Sequence, residues 1–168
     1  MTSIIRMATE RDWPAILYLY NHYVQTTPFT FDLEDQTLAN RAAWLASFGN
    51  NPRHHLMVAC LDDVVSAFAA SSAFRPKKAY DTSVEVSLYC RPECTGQGLG
   101  KRLYTELMAR LDAAATHRAY ALITLPNIGS EAIHKNFGFK LAGTLTEAGF
   151  KFGQYWSVAI WEKVFHKG

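Results

Sequence analysis

Three glycines at alternate positions are placed to bind a ligand through the main chain. Gly96, Gly98 and Gly100 follow a strand-like run and directly precede an amphipathic, helix-like run. Glycine permits a tight turn and lets a ligand approach the backbone closely. The N–H groups at a helix N-terminus attract an anion, and Lys101 adds a positive charge in the first turn. The segment therefore predicts a binding site for a phosphate or a diphosphate.

The spacing of this loop excludes two common nucleotide motifs. A Walker A loop has the pattern GxxxxGK[ST], and Thr95 and Arg102 occupy its first and last positions here. A dinucleotide-binding loop has the pattern GxGxxG near the first strand, whereas this loop reads GxGxG and follows about four predicted strands. Two alternatives stay open at this point, a helix N-terminal loop that binds nothing and another kind of nucleotide-phosphate binder.

The carboxylate of Glu85 is placed to transfer a proton. Residues 83–89 alternate strictly, with Val84, Val86 and Leu88 on one face of a strand and Glu85 on the other. Partial burial among apolar neighbours raises a carboxyl pKa toward the range in which a general base operates. A solvated carboxylate on a strand face is the alternative.

The elements that must position these residues alternate between strands and helices in the order β-α-α-β-β-β-α-β-α-β-β. The first half predicts antiparallel strands, with a hairpin turn at Asp62-Asp63, and the second half contains a βαβ unit. This order predicts a mixed α/β (α+β) fold with helices on both faces of one sheet. The expected strands cover 3–7, 55–61, 64–71, 83–89, 120–125, 139–146 and 155–164, and the expected helices cover 9–22, 38–48, 98–114 and a segment that ends near Gly138, with a loop at 23–36.

Composition sets the class of protein. The 168 residues are 49% apolar and 19% charged, which predicts one domain over residues 1–168 with a sizeable core. A net charge of +2 gives no indication of nucleic-acid binding. Three cysteines without CxxC spacing predict neither a disulfide framework nor a zinc site, and they favour a reducing cytoplasm. We expect no metal, no secretory signal and no membrane span.

Two segments together resemble the GNAT N-acetyltransferase superfamily. Residues 95–100 (TGQGLG) are similar to its [QR]xxGx[GA] acetyl-CoA loop, and residues 127–139 (NIGSEAIHKNFGF) are similar to its NxxSxxx[YH]xxxGF segment. Within the superfamily, residues 79–81, 84–89 and 148–153 resemble the phosphinothricin and methionine sulfone/sulfoximine N-acetyltransferases. The likeness extends over nearly the whole chain.

The resemblance implies a GNAT fold, with a mostly antiparallel mixed sheet of six to seven strands flanked by about four helices. It also implies a homodimer that transfers an acetyl group from acetyl-CoA to the α-amine of a small amino-acid analogue, by direct attack of the amine. Acetylation of a peptide N-terminus or a polyamine is one alternative, and a CoA-binding sensor domain without turnover is another.

The resemblance also implies the roles of individual residues. Glu85 matches the catalytic base, and His134 matches the residue that protonates the leaving thiolate, with a structural histidine as the alternative. The N–H of Leu88 is the expected oxyanion donor. The implied acetyl-CoA site comprises Leu88, Tyr89, Cys90, Thr95, Gly96, Gln97, Gly98, Leu99, Gly100, Lys101, Asn127 and Ser130.

The implied amine site comprises Phe74, Arg75, Pro76, Lys77, Glu85, Val86 and Ser87, with Phe29, Phe31, Tyr155 and Trp156 as further candidate walls. The guanidinium fork of Arg75 suits the α-carboxylate of an amino acid. Two positions depart from the family pattern. Thr95 stands where Gln or Arg is usual, which predicts weaker cofactor binding. Phe152 stands where phosphinothricin enzymes often carry His, which argues against phosphinothricin as the preferred substrate and leaves the methionine derivatives open.

Overall fold

The computed structural model describes residues 3–165, and within that range the chain forms seven strands and four α-helices. Their order is the predicted one, and the mixed fold with helices on both faces of the sheet is confirmed. The strands are β1 (Ser3–Met7), β2 (His55–Leu61), β3 (Val64–Ala73), β4 (Ser83–Cys90), β5 (Arg118–Thr124), β6 (Lys140–Lys151) and β7 (Gln154–Val164), and the helices are α1 (Trp13–Thr26), α2 (Leu38–Ala46), α3 (Leu99–Ala113) and α4 (Ile128–Asn136).

The sheet has one parallel contact, and that contact is short. Its strand order is β1-β2-β3-β4-β5-β7-β6, and every neighbouring pair is antiparallel except β4 and β5. The parallel pairing covers only Ser83, Val84 and Glu85 of β4, although this strand continues to Cys90. The two strands therefore diverge after Glu85, in the middle of the sheet.

Two apolar layers hold the sheet between its helices. On one face, Leu103, Leu107 and Leu111 of α3 are fully buried against β4 and its neighbours, as their spacing predicts. On the opposite face, α1 and α2 cover β2 and β3 through a second cluster that includes Ile16 and Leu45. Together these layers fix α3 and α1 on either side of the diverging strands.

The predicted loop at 23–36 begins too early, because α1 continues through Thr26. Hydroxyl groups in this Thr-rich stretch satisfy carbonyls of the last turn. Thr26 Oγ1 donates to His22 O at 2.6 Å, and Thr27 Oγ1 donates to Tyr23 O at 2.8 Å. A segment that looked polar and irregular is therefore partly the capped end of a helix.

Strand β6 ends five residues beyond the predicted 139–146, because irregular register hides its alternation. Its pairing with β7 shifts between Leu145 and Gly149, and both residues of the turn that follows, Phe152 and Gly153, have positive φ. The hairpin predicted at Asp62-Asp63 is confirmed, since these two residues join β2 to β3 with positive φ. No helix in the described range has the length and apolar character needed to cross a membrane.

Candidate active site

The divergence of β4 and β5 opens a cleft of about 610 Å³ that the starts of α3 and α4 also line. This volume is usual for a small-ligand site. Most of the predicted site residues line the cleft. They are Glu85, Val86, Ser87, Leu88, Tyr89, Cys90, Thr95, Gly96, Gly98, Leu99, Gly100, Lys101, Asn127, Ser130 and His134.

The glycine loop forms one end of the cleft. Gly98 is the N-cap of α3 and has a φ of +76°, a conformation that glycine adopts without strain. At Gly100, a Cβ atom would lie 2.9 Å from Cys90 Sγ, so only glycine lets the first turn of α3 pack this closely on β4. The N–H groups of that turn have no partner within the helix itself. The loop therefore offers main-chain donors to an anion, as its sequence predicts.

The open edge of β4 forms one wall of the cleft. Beyond Glu85, β4 pairs with β3 on one side only, for example Ala69 with Leu88 and Phe68 with Tyr89. The Tyr23 hydroxyl donates to Cys90 O at 2.6 Å and holds the far end of this edge. Residues 86–89 thus present strand backbone to the cleft, which is the surface that an extended ligand pairs with.

Glu85 lies where the two strands part. It is opposite Ser72 of β3 and opposite Tyr120 of β5 in the strand register. Burial raises the pKa of the Glu85 carboxyl, and the positive charge of Arg75 partly opposes that shift. Glu85 also lines a second pocket of about 160 Å³, beside α1 and α2. Glu85 therefore connects two cavities.

The predicted residues of the loop before β4 lie outside the cleft lining. Phe74 stacks on Tyr120 with ring centroids 4.2 Å apart, and the Arg75 guanidinium lies 4.9 Å from the Phe74 ring centroid. This stack keeps Arg75 near enough to Glu85 for its charge to act on that carboxyl. Like Phe74 and Arg75, Pro76 and Lys77 do not line the cleft.

Gln97 is a further predicted residue outside the lining. Its side-chain amide donates to Glu93 O at 2.9 Å, so it supports the loop. Asn127 lines the cleft, and its side chain also accepts from Ser130 N as the N-cap of α4.

His134 is buried and hydrogen-bonded at both ring nitrogens. Nδ1 lies 2.7 Å from Ser130 O, and Nε2 lies 2.9 Å from the Tyr104 hydroxyl. A carbonyl oxygen only accepts, so Nδ1 carries the proton in this contact and Nε2 accepts from Tyr104. Burial lowers the pKa of His134, which also favours the neutral ring. These contacts favour the structural alternative, and proton donation by His134 stays a prediction.

Sequence reasoning assigned no role to several residues that shape the site. Tyr104 follows a core leucine in α3, so its spacing indicates only burial. Tyr23 lines the cleft from α1. No local pattern marks Tyr104 or Tyr23, because their partners lie far along the chain. Of the four candidate aromatic walls, Phe29 lines the cleft, whereas Phe31, Tyr155 and Trp156 do not.

The described residues give little support to a metal site or to a cysteine nucleophile. Across 3–165, no group of three or more His, Cys, Asp or Glu side chains is arranged to hold a metal ion. Burial raises the pKa of the Cys90 thiol to about 11, so the thiolate is scarce at neutral pH. The thiolate is the nucleophilic form of cysteine, so this cleft does not activate Cys90 for attack.

Comparison with known proteins identifies the family. The protein-family model described as Acetyltransferase (GNAT) domain matches residues 5–160 of this sequence. The chain belongs to the GNAT family of acetyltransferases. This confirms the predicted resemblance and the predicted enzyme class, an N-acetyltransferase that uses acetyl-CoA as co-substrate.

Individual relatives resemble this acetyltransferase over nearly its full length. A phosphinothricin N-acetyltransferase of Streptomyces coelicolor is 43% identical over 161 residues, which cover 95% of this chain and 94% of the relative. An L-methionine sulfoximine/L-methionine sulfone acetyltransferase of Pseudomonas aeruginosa is 32% identical over 155 residues, covering 92% and 90%. The crystal structure of a phosphinothricin acetyltransferase from Sinorhizobium meliloti in complex with acetyl-CoA has a TM-score of 0.93 and 30% identity, covering 100% and 91%.

The electrostatics of Glu85 lead to a prediction about its titration. We expect its carboxyl to titrate above the ordinary glutamate range of about 4.3, because burial disfavours the charged form. Arg75→Gln should raise this pKa further, because it removes a charge that stabilises the carboxylate. A ¹³C NMR titration of labelled glutamate carboxyls measures both values. Lys78→Gln, at an exposed lysine of the same segment, is the matched control.

An unshifted carboxyl in the parent protein would contradict the burial of Glu85. A fall of its pKa in Arg75→Gln would contradict the proximity of the two side chains.

Proposed function

We propose that this GNAT enzyme acetylates the α-amine of a small amino-acid analogue of the methionine sulfone, methionine sulfoximine or phosphinothricin type. The position of Glu85 carries the proposal, because this residue lines both the cleft at the glycine loop and the second pocket. One cavity suits the acetyl donor and the other suits the amine. The names of the two curated relatives, which specify these substrates, support the same class.

The donor site follows from the two backbone surfaces of the cleft. Acetyl-CoA supplies an acetyl thioester attached to a long carrier with a diphosphate. The N–H groups of residues 96–101 and the Lys101 ammonium suit the diphosphate, and the open edge of β4 suits the pantetheine arm. The N–H of Leu88 donates to the thioester carbonyl oxygen, where negative charge develops as the amine attacks.

Glu85 acts as the general base in this proposal. An α-amine is largely protonated at neutral pH, so its proton must leave before the nitrogen can attack. The raised pKa of Glu85 suits a carboxylate that accepts this proton, directly or through a water molecule. The new bond joins the amine nitrogen to the acetyl carbon, the carbon–sulfur bond breaks, and the CoA thiolate leaves and gains a proton.

Direct attack is favoured over an acetyl-cysteine intermediate. The raised pKa of Cys90 keeps its thiol protonated, and the described residues place no histidine in hydrogen-bond contact with it. Cys94 also lines the cleft, but it is a free and buried thiol. The amine nitrogen is therefore the nucleophile that the cleft prepares.

The amino-acid part of the substrate is assigned to the loop before β4. The charge of Arg75 acts on the Glu85 carboxyl, and its guanidinium suits the α-carboxylate, which would place the α-amine at the base. A polyamine has no carboxylate for this contact, and a peptide N-terminus presents an amide carbonyl instead. Arg75 therefore favours a free amino acid over both alternatives.

We also propose that the whole chain is one domain, acts as a homodimer and works in the cytoplasm. The β6–β7 hairpin exposes large apolar side chains, which commonly mark a protein interface; they are Leu141, Leu145, Phe150, Phe152 and Tyr155. All three cysteines are free thiols, which suits a reducing compartment.

A free-thiol release assay with acetyl-CoA tests the substrate class. The panel comprises L-methionine sulfone, L-methionine sulfoximine, phosphinothricin, a short peptide and spermidine. We expect turnover of the amino-acid analogues at a kcat/KM at least tenfold above that of the other amines, because only a free amino acid provides the carboxylate for Arg75. A signal confined to the peptide or to spermidine would contradict the proposal.

The variant Glu85→Gln tests the base and separates an enzyme from a CoA-binding sensor. We expect kcat to fall by roughly 10²- to 10⁴-fold, since the amide cannot accept the proton. Acetyl-CoA affinity, measured by calorimetry, should stay within about twofold. Glu93→Gln, at an exposed carboxylate of the nearby loop, is the matched control. Unchanged kcat in Glu85→Gln would refute the assignment of the base.

Sedimentation velocity tests the dimer. We expect a species of about twice the 18.9 kDa chain mass and a shift toward the monomer in Leu145→Glu, because a buried unpaired charge weakens an apolar interface. Leu33→Glu is the control, since Leu33 is also exposed but lies outside the hairpin. A monomer at every concentration of the parent protein would exclude this proposal.

A further inference from the structure

The second pocket beside Glu85 is closed by the two N-terminal helices. It lies on the α1 and α2 side of β4, holds about 160 Å³, and its lining includes Tyr20, Arg41, Trp44, Ser72, Glu85 and Ser87. Protein cavities of about 150 Å³ accommodate a benzene-sized group of six heavy atoms. The pocket therefore has room for the side chain of a small amino acid.

The second pocket adjoins the cleft at Glu85, the proposed base. Glu85, Val86, Ser87 and Tyr89 line both this pocket and the cleft, so the two cavities meet at β4. Ser72 lies opposite Glu85 in the strand register and adds a hydroxyl to the pocket wall. An amine held at Glu85 thus has its attached side chain next to this pocket.

Arg41 brings hydrogen-bond donors into a largely aromatic wall. Its Nη2 donates to Asp32 Oδ2 at 2.5 Å, and its guanidinium lies 5.0 Å from the Tyr20 ring centroid and 5.4 Å from that of Trp44. A guanidinium carries five N–H donors. Among residues 3–165, the Arg41 guanidinium makes one hydrogen bond, which is the contact with Asp32. Arg41 therefore keeps donors for a ligand in a fixed orientation.

Asp32 compensates the charge of Arg41. The same carboxylate oxygen accepts from the Tyr20 hydroxyl at 2.6 Å, which fixes the position of the Asp32–Arg41 pair. Lys151 is another cation near Asp32, but its ammonium donates to Thr30 O at 2.8 Å and does not line the pocket. Arg41 thus lines the pocket, and Asp32 balances its charge from outside the lining.

We propose that this pocket binds the side chain of the amino-acid acceptor and that Arg41 donates to an uncharged oxygen at its end, as in a sulfone or a sulfoximine. Asp32 disfavours an anionic end group such as a phosphinate, because two negative charges would approach each other. Arg41 and Asp32 are then residues that determine specificity, with Arg75 on the α-carboxylate. This inference rests on the proposed function.

A pair of substrates matched in side-chain length tests the pocket in the parent enzyme. L-Methionine sulfone and L-norleucine have side chains of equal length, and only the sulfone offers oxygens to Arg41. We expect a kcat/KM at least tenfold higher for the sulfone. Equal values would overturn the role of Arg41 while leaving the proposed function intact. If the enzyme acetylates neither of these two amino acids and no other amino acid in the panel, the proposed function itself would be refuted.

The variant Arg41→Met assigns the preference to one side chain. It should lower kcat/KM for the sulfone roughly tenfold to a hundredfold, mainly through KM, and change that for norleucine less than about threefold. Arg11→Met, at an exposed arginine outside the pocket, is the control. An equal loss on both substrates, or no loss on the sulfone, would overturn the proposal.

The variant Asp32→Asn tests the discrimination against anions. Removing the carboxylate leaves the charge of Arg41 uncompensated, so the kcat/KM ratio of phosphinothricin to methionine sulfone should rise at least fivefold. The ratio within one variant is unaffected by the fraction of enzyme that folds. An unchanged or lower ratio would overturn the assigned role of Asp32.

Discussion

The short pairing of β4 with β5 is the constraint on which the site depends. Only Ser83, Val84 and Glu85 of β4 pair with β5, and the strands then separate. The separation leaves one edge of β4 unpaired in the middle of a sheet, where an open edge is otherwise costly. It also places Glu85 at the last paired position. The divergence of these two strands thus creates the cleft, the open edge of β4 and the position of the proposed base.

The charged groups around Glu85 are each opposed by another effect or paired with an opposite charge. Burial raises the pKa of its carboxyl, whereas Arg75 opposes that rise from the loop before β4. On the α2 side, Arg41 is compensated by Asp32. In the cleft, His134 is neutral and bonded to Tyr104 and Ser130. In the proposed mechanism, the amine and the thioester meet where Glu85 is the proton acceptor and main-chain N–H groups stabilise negative charge.

The sequence predicts what local spacing encodes. The repeat of leucines in α3, the glycine loop before it and the alternation in β4 are each visible within a few residues, and the structure confirms those elements. The pairing of Arg41 with Asp32 and the contact of Tyr104 with His134 join different elements, so spacing cannot reveal them. The predicted end of β6 is wrong for another reason. A shifted register breaks the alternation of side chains on which strand assignment depends.

A structure of the protein with bound acetyl-CoA tests whether the divergence of β4 and β5 forms the donor site. We expect the diphosphate on the N–H groups of residues 96–101, the pantetheine arm along the open edge of β4, and the thioester oxygen about 3 Å from the N–H of Leu88. The acetyl carbon should then lie on the side of β4 from which Glu85 is reached. Acetyl-CoA bound elsewhere, or β4 and β5 paired along their whole length in the complex, would contradict it.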